Sequence, residues 1–132
     1  MRYATSLAGD PAATYRTVGL ASRTAGSDPH QLVALMYEEL LGALRGAAWA
    51  AEHNHHRQRS ERVTRALAIL FALEAGLDFD KGGDLSHVLA RVYHGARTTL
   101  IEASMGSDPH PFRDVAANLA EIAEAWSAVR AA

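Results

Sequence analysis

Apolar residues recur at spacings of three and four in four separate stretches of this chain, and no stretch offers the strict alternation of a strand. Leu32, Leu35, Met36, Leu40, Ala43, Leu44, Ala47 and Ala51 draw one stripe on a helix of about seven turns, predicted from Asp28 to about Glu52. After the polar break His53-Asn54-His55-His56, a second stripe runs through Val63, Ala66, Leu67, Leu70, Phe71, Leu73 and Leu77. Leu85, Val88, Leu89, Val92, Tyr93, Ala96, Leu100 and Ala103 make a third. Phe112, Val115, Leu119, Ile122, Trp126 and Val129 alternate threes and fours as a heptad seam, suited to the roughly 20° crossing of bundle helices. Short breaks set successive helices side by side and antiparallel, so the predicted fold is all-α, an antiparallel up-down four-helix bundle over 28–132. Residues 1–27, rich in Ala, Ser, Thr and Gly, are too weakly periodic for a packed helix. They are expected to form an N-terminal segment, mobile or loosely docked over the bundle.

The breaks carry their own chemistry. Gly26-Ser27-Asp28-Pro29-His30 and Gly106-Ser107-Asp108-Pro109-His110 are a literal repeat. Asp followed by Pro opens a helix, since Asp caps the free N–H groups and Pro at the first position loses only an N–H that had no partner. Both copies are therefore predicted helix starts, a shared capping solution rather than a ligand site. Between the second and third stripes, Leu77-Asp78-Phe79-Asp80-Lys81-Gly82-Gly83-Asp84-Leu85 reads as a helix-to-helix connection. Its paired glycines allow backbone angles closed to other residues, and Asp84 is the predicted N-cap of the third helix.

Composition narrows the function classes. At 132 residues and 48% hydrophobic the chain is one domain able to build a core. A net charge of -2, with twelve arginines and one lysine among its 13 basic residues, provides no broad positive field for a phosphate backbone, so nucleic acid is not an expected partner. The absence of cysteine excludes disulfides and thiol chemistry and suits a reducing cytoplasm. The stretch from Met1 to Pro11 has no continuous apolar core of a signal, and no apolar run reaches membrane-spanning length. The chain reads as cytoplasmic, with no stable membrane insertion.

Catalytic and metal patterns fail on geometry. His53, His55 and His56 sit at a helix break with Glu52 as their close acidic neighbour, which is the make-up of a solvated helix end. A di-iron bundle needs two inward Glu-x-x-His motifs; Glu52 with His55 supplies one at a helix terminus, and Asp84 with His87 only an Asp analogue. The run from Asp78 starts like a calcium loop, but Gly82 and Leu89 fall where ligands are required. His87 and His94 share a helix face without a catalytic partner pattern. No enzyme, cofactor or metal is expected. Binding is better supported: Leu67, Ile69, Leu70, Phe71 and Leu73, and then Val88, Leu89, Val92 and Tyr93, make stripes wider than one bundle interface needs. A wide stripe is either a thick core or a groove for an amphipathic helix. The small-sided half of the first helix, with Gly42, Ala43, Gly46, Ala47, Ala48, Ala50 and Ala51, is either a close-packing face or a channel for a partner segment.

Leu77 to Leu85 resembles the LDFEKGGE-type signature of the FliS family, cytoplasmic chaperones of flagellin. The stretch from Pro29 to Leu40 is similar to that family's P-x-x-L-I-x-M-L-Y-D-G-A opening, with Tyr37 at the family tyrosine and Glu38 and Glu39 where Asp and Gly are usual. Leu89, Val92-Tyr93 and Leu100-Ile101-Glu102-Ala103 resemble its N-L-x-x-L-Y and L-x-x-A-N runs, and Trp126 matches an aromatic of the last helix. The resemblance implies capture of the disordered C-terminal segment of flagellin as a helix along the bundle, which prevents premature polymerisation and keeps the subunit fit for flagellar type III secretion. It implies a client groove to which Leu77, Phe79, Leu85, Leu89, Val92, Tyr93 and Leu100 contribute, and an N-terminal Tyr15 that contacts it in the free protein. A contact with the flagellar export gate and a homodimer stay open, as does the plainer alternative of a helical-bundle adaptor or dimerisation module.

Overall fold

The structure is a computed structural model and describes residues 28–131. It contains α1 (Pro29–Glu52), α2 (His56–Ala75), α3 (Phe79–Ala103) and α4 (His110–Ala131), with no strand among the described residues. α1 packs on α2 and α4, and α3 closes the ring by packing on α2 and, least tightly, on α4. The result is the expected four-helix bundle. The N-terminal segment 1–27 and Tyr15 lie outside the described residues.

Both Asp-Pro copies open helices. Asp28 accepts a hydrogen bond from the Gln31 N–H at 2.8 Å, while the Gln31 side chain accepts from the Asp28 N–H at 3.3 Å, a reciprocal cap with Pro29 at the first position. Asp108 accepts from the His110 N–H at 2.9 Å and starts α4. The two histidines that follow are used differently. His30 is buried, stacked on Trp126 with ring centroids 4.3 Å apart, and donates from Nε2 to the Trp126 carbonyl at 2.9 Å. Trp126 Nε1 returns a bond to the His30 carbonyl at 3.0 Å, so the start of α1 is locked to the last turns of α4. His110 is exposed. At the opposite end of the bundle Arg113 pairs with Glu52, holding that carboxyl below its usual range by hydrogen bond and charge. Trp126→Ala is expected to cost about 2 kcal/mol, less than a fully buried tryptophan because the ring is only half-buried. Faster amide hydrogen exchange concentrated in the last turns of α4 checks it; uniform loss of protection would refute the local lock.

The connection between α2 and α3 differs from the expectation drawn on Asp84. Asp78 is the N-cap, accepting from the N–H groups of Asp80 at 3.1 Å and Lys81 at 2.9 Å, and α3 already begins at Phe79. One helical turn closes before Gly83, at φ 55° and ψ -134°, breaks it and the main run resumes. A single turn is too short to reveal a period in sequence, which is why the later aspartate looked like the start. The Asp78 carbonyl accepts from the Gly82 N–H and from Ser86 Oγ, each at 2.8 Å, fastening the turn to the helix behind it. Only glycine reaches the Gly83 angles without strain. Gly83→Ala is expected to lower stability by about 1–3 kcal/mol in urea melts, whereas Gly82→Ala, at a negative φ, costs far less.

Buried Met36, Tyr37, Leu40 and Leu44 of α1, Ile69, Leu70 and Leu73 of α2, Tyr93 and Leu100 of α3, and Phe112 and Leu119 of α4 form the centre of the core. Ala43, Ala47, Ala48, Ala50 and Ala51 are buried too, and the Arg62 side chain lies across Gly46, so the small-sided half of α1 is a close-packing face. It lets α1 and α2 approach closely.

Candidate functional site

α3 is a helix with three different sides. Its buried side carries Ser86, Leu89, Tyr93, Ala96 and Leu100. The flank toward α2 mixes polar and apolar groups: Arg97 donates to Glu74 at 2.8 Å and to His94 Nδ1 at 3.3 Å and lies 5.8 Å over the ring of the exposed Phe71, and Ile101, one turn on, is exposed as well. The flank toward α4 is apolar and only partly covered. Leu85 and Val88 are 56% and 42% exposed, and three to four residues further on Val92 continues the same stripe. Next to Val92 the stripe runs into an open groove of about 450 Å³ between α3 and α4, where Gly95, Ala96 and Thr99 face Val115, Leu119 and Ile122. Arg91 stands on one rim and Glu121 on the other.

The heptad seam of α4 explains the opening. Phe112, Val115 and Leu119 are buried, but Ile122, Trp126 and Val129 are half-buried, so α4 fits the core well at its start and loosely toward its end. That loose half runs beside the first half of α3, because the two helices are antiparallel. Phe79 adds to the same end of the molecule: it is 46% exposed, with its ring 4.9 Å from the His87 ring. A larger groove of about 640 Å³ between α1 and α4 is lined by Ala34, Leu35, Leu41 and Ala123 together with Gln31, Glu38, Arg45 and Glu124, a more mixed wall than that of the α3–α4 groove.

The candidate residues therefore separate by position. Phe79 and Leu85 are on the surface, and Val92 lines the α3–α4 groove. Leu77 and Leu89 are buried beneath that surface, and Tyr93 and Leu100 are in the bundle interior. Tyr93 meets Tyr37 hydroxyl to hydroxyl across the bundle, one donating and one accepting. Burial pushes the Tyr37 phenol up to about 12 against the opposing pull of the Tyr93 hydrogen bond, and raises Tyr93 as well, chiefly by burial and then by the charge of Tyr37. Such a pair holds helices; it does not offer itself to a partner. Val88 was read from sequence as part of a wide stripe, core or groove, without being assigned to the client groove, although it sits three residues after Leu85 and four before Val92; Gly95 and Ile122 were not groove candidates.

Among the described residues no group of three or more His, Cys, Asp or Glu gathers to hold a metal ion. His53 stacks on Trp49 at 4.2 Å and donates from Nδ1 to the Trp49 carbonyl at 2.8 Å, closing the end of α1, and His55 meets the same ring edge-on at 4.9 Å. No described helix is long and apolar enough to cross a membrane. The candidate site is a partly exposed apolar surface on α3.

Residues 11–132 match the family described as flagellar protein FliS. The flagellar secretion chaperone FliS of Salmonella typhimurium is 29% identical over 116 residues, covering 87% of this chain and 86% of that protein. The flagellar secretion chaperone FliSB of Pseudomonas aeruginosa is 27% identical over 115 residues, covering 87% and 91%. The flagellar secretion chaperone FliS of Campylobacter jejuni is 29% identical over 101 residues, covering 76% and 79%. With a match that takes in the whole bundle and the signature that joins α2 to α3, this chain belongs to the FliS family.

Proposed function

We propose that the chain is a non-enzymatic, cytoplasmic export chaperone that holds the C-terminal segment of flagellin as an amphipathic helix. Phe79, Leu85 and Val92, with Val88, form the contact surface; Leu77, Leu89, Tyr93 and Leu100 shape it from beneath, and Tyr15 contacts it in the free protein. The observation that carries the reading is the apolar stripe of α3 that the bundle leaves partly exposed, in a family whose relatives are named flagellar secretion chaperones. Ordering a disordered client costs conformational entropy, so the captured segment must bury apolar area along a length of helix rather than at one point. The stripe and groove together span four turns of α3, from Leu85 to Thr99. Covering the client's polymerising segment before export would keep it monomeric and fit for flagellar type III secretion.

Calorimetry with full-length flagellin and with flagellin lacking its C-terminal segment tests this. Binding of the first and none of the second is expected. Equal binding of both, or of neither, would leave a helical adaptor or dimerisation bundle as the better account.

A further inference from the structure

We propose that Gly95, with Ala96 on the same helix and Ile122 opposite, is a notch in the α3–α4 groove that accepts one large apolar side chain of the captured helix and so sets which client register binds. The inference rests on the chaperone reading above and deepens it by assigning a specificity-determining residue. Gly95 is in the middle of a 25-residue helix, where glycine costs about 1 kcal/mol relative to alanine. Its backbone is helical, so conformation does not require it. Close packing does not require it either: a Cβ built there meets nothing within 4 Å. At Gly46 an added Cβ would come to 3.1 Å from the Arg62 side chain, while at the helical Gly42 it would meet nothing, as at Gly95; Gly95 differs from both in lining the α3–α4 groove.

Gly95 is exposed on the wall of the groove, so a side chain added there would extend over the groove mouth, bordered by solvent on its outer side. Val92 and Thr99 flank it along α3, and Val115, Leu119 and Ile122 line the opposite wall. The stripe through Leu85 and Val88 leads to it at helical spacing, so an amphipathic helix lying along α3 reaches the notch with a residue on its own apolar face. The rims bear opposite charges, Arg91 on α3 and Glu121 on α4. A uniformly charged partner meets repulsion on one rim. An amphipathic helix with an acid on one side of its apolar stripe and a base on the other satisfies both. The occupant is therefore such a helix, with a leucine-, methionine- or phenylalanine-sized residue at the notch.

The test is a size series at one position, Gly95→Ala, Gly95→Leu and Gly95→Phe, read by circular dichroism, thermal melting and calorimetry against full-length flagellin. All three variants are expected to fold, and Gly95→Ala to melt higher than the parent because helix propensity improves with no clash. Affinity should fall with size: less than about 3-fold for alanine and about 10-fold or more for leucine and phenylalanine, the scale of overfilling a packed site. Truncating a single large apolar residue in the C-terminal segment of flagellin should weaken the parent and recover part of the loss with Gly95→Leu. Unchanged or tighter binding by folded Gly95→Leu and Gly95→Phe overturns the notch while leaving the chaperone reading intact. A parent protein that does not bind flagellin at all overturns both.

Discussion

Leu85→Asp combined with Val88→Asp is expected to leave the bundle folded and to weaken flagellin binding at least 100-fold, whereas Tyr93→Asp, a few residues along the same helix, should unfold the domain. The difference is where each side chain is. Leu85 and Val88 are about half exposed in the free protein, so an aspartate there gives up only partial contacts and its carboxylate still reaches water. In the complex each residue would contribute about 1.5–3 kcal/mol by burial, and a carboxylate facing an apolar helix adds a desolvation cost, so a combined loss of about 3 kcal/mol or more follows. Tyr93 has no exposed surface. Replacing it buries a carboxylate, removes a large ring and orphans the Tyr37 hydroxyl; a change of this kind exceeds about 4 kcal/mol, a large share of a stability of about 5–15 kcal/mol. Circular dichroism and calorimetry on the two variants decide the matter. A folded Leu85→Asp/Val88→Asp protein with parental affinity would remove α3 as the client surface, and a folded Tyr93→Asp protein would mean the interior is less closed than its packing implies.

How much of this was legible in the sequence follows from what periodicity encodes. The three-four spacing of α1 and α4 marks which face of a helix is apolar, and the caps at Asp28 and Asp108 are local chemistry, so both were readable without a fold. Whether a partner helix actually covers that face is not local. Val88 and Leu89 are adjacent in sequence and equally apolar, yet the step of about 100° between them turns Leu89 into the core with Tyr93 and Ala96 and leaves Val88 on a flank whose cover depends on the neighbouring helix. The same limit placed Tyr93 and Leu100 with the groove candidates, since neighbouring positions on a wide stripe cannot be ranked by depth until the neighbouring helix is in place. The locks between distant residues were equally hidden: His30 with Trp126 and Tyr37 with Tyr93 join helices that sequence spacing does not relate. The resemblance to the family implies the partner, and the exposed flank of one helix is the surface proposed for it.

The tyrosine pair makes the second large effect, and its sign is fixed by burial. Tyr37→Phe and Tyr93→Phe each remove one hydroxyl with almost no change in volume, and each leaves the remaining hydroxyl buried in an apolar core without the partner it has now. An orphaned buried hydroxyl costs about 1–3 kcal/mol, so both single variants should be destabilised by that amount. Removing both hydroxyls removes the orphan as well, so Tyr37→Phe/Tyr93→Phe should be closer to the parent than either single variant, a coupling of about 1–3 kcal/mol in a double-mutant cycle. The pair also predicts how the fold fails in alkali. An unfolded tyrosine loses its proton near pH 10, while folded Tyr37 keeps its proton until about 12 and Tyr93 is raised too. Above pH 10 the unfolded state therefore binds fewer protons than the native state, and stability falls as pH rises. The stabilisation is fully present below pH 10 and is lost through the folded value, with a slope approaching about 1.4 kcal/mol per pH unit for each tyrosine. Urea midpoints measured from pH 8 to pH 12 should drop steeply in the parent and much less in the double phenylalanine variant. The same steep alkaline loss in that variant would show that other groups, and not this buried pair, set the limit of the bundle at high pH.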